Sequence, residues 1–182
     1  MKVHEAIDGR LREFIAAQQM FFVATAPSLG EGHVNLSPKG MTGTFAVLGD
    51  HRVAYLDYHG SGAETIAHLR DNGRITLMFC AFQGPPTIVR LYGTGRVIAP
   101  ADPEFAELLG RFTAPETHSG RSIIDVQVHR ISDSCGYAVP LMSYQGDRDL
   151  LIRWHARRDE AALSEYRRTK NAVSIDGLPA LG

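Results

Sequence analysis

Residues 74–82 and 87–99 leave this chain few folds to choose from. The first stretch is apolar on both parities, with Ile75, Leu77 and Phe79 on one and Met78 and Cys80 on the other, as in a strand covered on both faces. The second places Val89, Leu91 and Val97 on one face with Gly93 and Gly95, and Arg90, Tyr92 and Arg96 on the other. Its glycines permit the sharp bend that closing a small barrel requires.

The flanking pattern agrees with a mainly β, α+β fold. Strands are predicted over residues 21–25, 33–36, 44–48, 52–57 and 122–132, with a turn-rich loop over 26–32 and a Gly49-Asp50 hairpin turn. Helical spacing of Ile7, Leu11, Phe14 and Ile15 predicts a helix over 3–18. A short helix is expected over 63–71, stopped by Asn72-Gly73, and another over 103–112, capped by Asp102 with Pro103 at its first position. A charged helical region follows over about 147–170. With 182 residues and no linker, repeat or low-complexity run, the chain reads as one domain. Its barrel core spans about 20–135 and its C-terminal helical extension about 146–182.

Composition excludes several classes. Nineteen Lys and Arg against 20 Asp and Glu give a formal charge of −1, so no global field favours nucleic acid or an anionic membrane. Two distant cysteines, Cys80 and Cys135, suggest neither a disulfide framework nor a thiolate metal site, and they fit a reducing compartment. No apolar signal core opens the chain, so a soluble cytoplasmic protein is expected. The eight histidines lack HxH, HxxxH or HExxH spacing, so no metal is expected. No GxSxG, Walker lysine or complete GxGxxG occurs, which removes the usual support for hydrolase, nucleotidase and Rossmann readings.

Three elements suit a phosphorylated ligand. Asn35-Leu36-Ser37-Pro38-Lys39-Gly40 puts a lysine in a polar turn after a strand. Gly60-Ser61-Gly62-Ala63-Glu64-Thr65 joins a strand to a helix, where free N–H groups and the helix dipole attract anions. The same residues also make a Ser-x-x-Glu capping pattern that satisfies those donors internally. Arg90 sits within an apolar strand and demands a partner, either a ligand anion or a carboxylate such as Asp57 or Glu64. His59 is expected to face solvent and Cys135 to be an inert buried thiol. Trp154, the single tryptophan, either anchors the C-terminal helix or packs on a planar cofactor.

The order of Phe22-Val23-Ala24-Thr25, Gly32 to Gly40, Val53 to Asp57, Gly60 to Thr65, Asn72 to Leu77 and Val89 to Gly95 resembles the pyridoxamine 5′-phosphate oxidase-like, FMN-binding split-barrel family. The resemblance covers about residues 14–99. It implies a six-stranded antiparallel split β-barrel with peripheral helices, a homodimer with FMN at its interface, and a small-molecule substrate or an electron donor such as NAD(P)H. It also implies cofactor contacts from Ser37, Lys39, Ser61, Gly62, Glu64, Thr65 and Arg90, with Trp154 as a further cofactor-binding candidate. No catalytic acid or base is assigned. Relatives bind F420 or haem, so an F420-dependent reductase and a non-catalytic flavin- or haem-binding protein are the alternatives. The oxidase's basic Ser-Arg-Lys-like helix entrance is replaced here by Ala63-Glu64-Thr65, and its Gln two residues before the strand arginine by Ile88. Its terminal arginine motif is not evident. These departures argue against pyridoxamine phosphate oxidation itself and leave a general flavin-dependent redox role.

Overall fold

The computed structural model describes residues 1–28, 30–114 and 120–181; Leu29, within the expected 26–32 loop, lies outside them. Eight strands form one antiparallel sheet: β1 (Lys2–His4), β2 (Phe21–Thr25), β3 (Asn35–Lys39), β4 (Phe45–Gly49), β5 (Arg52–Tyr58), β6 (Arg74–Cys80), β7 (Thr87–Ile98) and β8 (Gly120–Cys135). The helices among the described residues are α1 (Gly9–Ala16), α2 (Glu64–Asp71), α3 (Phe105–Leu109), α4 (Leu150–Ala156) and α5 (Glu160–Lys170). The strand order is β3-β2-β6-β7-β8-β5-β4, with β1 added to β8.

β8 is the spine. One edge pairs with β7 from Thr87↔Cys135 to Ile98↔Ile123, and the other pairs with β5 and then β1. The β7–β8 register slips between Tyr92 and Gly93. A Cβ on Gly93 would collide with the backbone oxygen of Gln127, so this bend needs a glycine.

The sheet curls until its ends meet through side chains. No hydrogen bonds join β2 to β4, yet the Phe21 and Phe45 rings stand 4.9 Å apart, edge to face, and both contact Phe79 at 5.5 and 5.1 Å. Inside lie Val23, Tyr55, Leu77, Leu91, Ile124 and Val126, all inaccessible to water. Leu11 and Ile15 of α1 and Ile66 and Leu69 of α2 complete this core. The result is a split barrel with peripheral helices.

Several boundaries differ from those read in the sequence. The expected helix over 3–18 is a strand followed by a shorter helix. Residues 2–4 pair with β8, and Asp8 starts α1 by accepting the Leu11 N–H at 2.8 Å. The seven predicted strand segments all form, and β1 makes an eighth where the resemblance implied six. The 33–36 strand forms over Asn35–Lys39, because the His33 N–H is taken by Asp176 at 2.8 Å. The 103–112 helix shrinks to Phe105–Leu109, since the Asp102 carboxylate accepts the Ala99 N–H at 2.6 Å instead of capping it. The charged C-terminal region divides at 157–159, where Asp159 accepts the Ala162 N–H and starts α5. Cys135 is exposed rather than buried. No helix among the described residues is long and apolar enough to cross a membrane.

Truncating the ring that joins the two ends of the sheet should open a cavity where no hydrogen bond compensates. Phe21→Ala is expected to cost about 3–5 kcal/mol, measured as a lowered urea midpoint with an unchanged slope.

Candidate functional site

Strand register decides which side chains meet. Opposed residues in an antiparallel pair share a face, and Ser37 opposes the buried Val23 while Lys39 opposes the buried Phe21. Both therefore point into the barrel, as does Asp57, two residues after the buried Tyr55 on β5. Lys39 Nζ reaches Asp57 Oδ1 at 3.0 Å across the open seam between β3 and β5.

Asp57 is 3% exposed and has a second cation. Arg121 Nε donates to Asp57 Oδ2 at 2.8 Å. The rest of that guanidinium serves the turn before α2, with Nη1 near the Gly60 carbonyl at 3.3 Å and Nη2 donating to the Gly62 carbonyl at 2.9 Å. Asn171 Oδ1 accepts a further bond from Nη1 at 2.9 Å. Burial alone would raise the Asp57 pKa, but Lys39 and Arg121 more than reverse this and hold the carboxyl below its ordinary range. Two cations on one carboxylate leave an excess positive charge facing the seam.

A second set of polar contacts runs from β3 to the start of α2. Ser37 Oγ donates to Asn35 Oδ1 at 2.8 Å, and Asn35 Nδ2 reaches both Thr65 Oγ1 and Thr25 Oγ1 at 3.0 Å. Thr25 Oγ1 meets the buried His68 Nδ1 at 2.9 Å. Burial lowers the His68 pKa in spite of nearby carboxylates, which favours the neutral ring. Burial and the Asp57 charge push the Tyr55 phenol well above its ordinary value.

A groove of about 600 Å³ opens beside Lys39. Pro38, Lys39 and Gly40 form one wall, Leu56 to Gly60 another, and Gly146 to Arg148 with Leu150 and Leu151 a third. The lining is apolar at Met20, Met41, Leu56 and Leu151, and its charged groups are Lys39, Asp57, Asp147 and Arg148. This volume and lining suit a small organic ligand, oriented by a few polar groups.

Register and packing separate the expected contacts into two groups. Lys39 and Gly62 belong to the Asp57–Arg121 cluster, and Ser37 and Thr65 to the separate set of bonds around Asn35. Ser61 is exposed on the turn, and it does not cap α2: the cap residue is Ala63, whose side chain makes no capping bond. Glu64 Oε1 instead accepts the Ile175 N–H at 3.3 Å. Arg90 does not converge with Lys39 within one chain. Val89 and Leu91 on either side face the core, so Arg90 projects from the outer face, beside Met78 and within 3.2 Å of Ser134 Oγ. Neither suggested carboxylate is its partner.

Trp154 does not line the groove, and its ring stands 6.4 Å from that of His59, which does. It stacks on Arg158 at 3.8 Å and packs edge-on against Tyr166 at 4.9 Å, tying α4 to α5. His59 is 3% exposed rather than solvent-facing, and its Nε2 accepts from Arg167 Nη1 at 3.0 Å. Sequence reasoning missed Arg121, which it left just outside the last strand, together with Asn35 and Asn171. No local pattern marks Arg121, because the strand it opens also carries Asp125, Gln127, His129, Arg130 and Asp133. Among the described residues, no group of three His, Cys, Asp or Glu side chains is placed to hold a metal.

The model of the pyridoxamine 5′-phosphate oxidase family matches residues 7–135, which carry every strand except β1. This chain belongs to that family. The pyridoxamine 5′-phosphate oxidase family protein ustO of Aspergillus flavus is 38% identical over 194 residues, covering 98% of this chain and 77% of that protein. Among solved structures of similar fold, HupZ of Group A Streptococcus superposes with a TM-score of 0.54 at 20% identity, covering 70% of this chain and 99% of that one. A Clostridium acetobutylicum protein related to general stress protein 26, of the pyridoxinephosphate oxidase family, gives 0.53 at 13% identity, covering 69% and 86%. An FMN-binding protein from Syntrophomonas wolfei gives 0.51 at 15%, covering 67% and 82%. At these identities the superpositions establish the shared fold.

Because Asp57 is held below the value near 4 of an unfolded chain, its stabilisation is complete above about pH 4 and is lost as pH falls through the folded value. Asp57→Asn leaves Lys39 and Arg121 without their shared counter-charge. It should cost about 3–5 kcal/mol near neutral pH and flatten the acid limb of a stability-versus-pH curve, read by chemical denaturation.

Proposed function

We propose that this protein binds FMN in the groove beside Lys39 and works as an FMN-dependent oxidoreductase on a small molecule. The observation that carries this reading is the excess positive charge of the Lys39–Asp57–Arg121 cluster at an apolar-walled groove. A phosphate monoester needs a fixed cation, and a planar heterocycle needs apolar walls. Family membership and the FMN-binding relative of the same fold support the choice of flavin.

In this reading Lys39, with a side chain 26% exposed, meets the phosphate, and the exposed Ser61 offers a hydroxyl on the turn whose Gly60 lines the groove. Asp57 and Arg121 fix the lysine and the turn without touching ligand. Met41, Leu56 and Leu151 exclude water from the planar part. When bound, the isoalloxazine supplies hydride acceptance or donation at N5, so the chain contributes binding, orientation and electrostatics.

The active unit in this proposal is a homodimer. The outer sheet face carries Leu36, 65% exposed, and Val34, 73% exposed, close to the two elements assigned to the ligand. Arg90 occupies that same face, so a second copy seated there would bring its Arg90 toward the first copy's ligand. NAD(P)H is the proposed electron donor.

A visible spectrum of the purified protein, followed by titration of the stripped form with FMN, F420 and haem, tests the assignment. FMN should bind with quenched fluorescence, and Lys39→Ala should weaken it by about 1–3 kcal/mol, the scale of a lost charge-assisted contact. Undiminished FMN affinity in that variant would remove Lys39 from the site, and indifference to FMN would end the flavin reading. Arg90→Ala should weaken FMN comparably in the dimer; a monomeric protein that binds FMN normally would remove the role of the second copy.

A further inference from the structure

The turn from Gly60 to Gly62 has no side-chain cap of its own, yet its two outer carbonyls are both occupied. Their partners come from distant chain. Arg121 donates to both, and Asn171 Nδ2 donates to the Gly60 carbonyl at 2.9 Å while its Oδ1 accepts from Arg121. Asn171 is wholly buried, and it begins a segment that folds back on α2. There the Ala180 N–H returns to the Ala172 carbonyl at 2.8 Å and the Leu181 N–H to the Asn171 carbonyl at 2.8 Å. Arg70 of α2 donates to the Ala180 carbonyl, and Asp176 holds His33 on the far side.

We propose that Asn171 is a positioning residue that, with the folded-back segment 171–181, sets the conformation of the Gly60-Ser61-Gly62 turn. A turn built of two glycines and a serine has wide conformational freedom, so its shape must be imposed from outside. Asn171 imposes it by bonding the Gly60 carbonyl directly and by fixing the guanidinium that holds Gly62. The segment also takes the Glu64 carboxylate through the Ile175 N–H. That contact keeps a negative charge engaged beside the place where an anion would sit. The segment is thereby coupled to the ligand-binding turn, a consequence that rests on the flavin reading, although the geometry itself does not.

Amide hydrogen exchange of the ligand-free protein decides the inference. In Asn171→Ala, exchange across residues 60–65 should accelerate at least about tenfold, while the core strand amides around Val89 and Leu91 keep their protection. Asn171→Asp, which returns an acceptor to Arg121 but no donor to Gly60, should restore part of that protection. If Asn171→Ala does not fold, Asp176→Ala releases the segment at its contact with His33 without touching the turn. It should accelerate exchange over 171–181 and 60–65 together. Faster exchange confined to 171–181, with the turn unchanged, would overturn the proposal. In parallel, Asn171→Ala should lower FMN affinity at least about tenfold. A wild-type protein that ignores FMN sinks the flavin assignment alone, because the exchange comparison stands without ligand.

Discussion

Asp57 is almost inaccessible to water, and a charge so placed is tolerable only because Lys39 and Arg121 reach it from two other parts of the chain. Lys39 comes from the edge strand β3 and Arg121 from the start of the spine β8. The Lys39–Asp57 bond connects β3 and β5, which share no backbone hydrogen bonds, while Arg121 reaches Asp57 within the paired strands β5 and β8. Below this electrostatic clasp the Phe21–Phe45 contact performs the same closure with apolar surface. The barrel is thus held shut by side chains, and the groove exists because the backbone there stays open.

Much of this architecture was legible in the sequence. The two-parity apolar run of β6 and the glycine-bearing β7 needed only strand periodicity and the space requirements of a bend. Local helix boundaries were harder, since Asp8 and Asp102 compete for nearby N–H groups in ways that period counting does not resolve. Residues 2–4 became a strand through partners at residues 131–133, information that no local window contains.

The site was legible in part for the same reason. Lys39 stood out from its turn, and Ser37 and Thr65 from the family resemblance; Lys39 meets Asp57, and the other two meet Asn35. Arg90 stood out correctly as a cation within an apolar strand, but its parity against Val89 and Leu91 assigns it to the outer face. Arg121 and Asn171 carry no local motif. Their importance arises from one buried meeting point, built from strand β8 and a segment outside the family-matched residues 7–135.

The central position of β8 also has a consequence for the order of assembly. Its residues furnish partners to β1, β5 and β7, so during synthesis the earlier strands wait for residues 120–135 to emerge. Until then β5 and β7 each lack one hydrogen-bonded neighbour and leave apolar faces open to other chains. Such long-range pairing folds slowly and is exposed to aggregation on the way. The interval before the longest strand leaves the ribosome is therefore the one in which the edges of β5 and β7 stay unpaired.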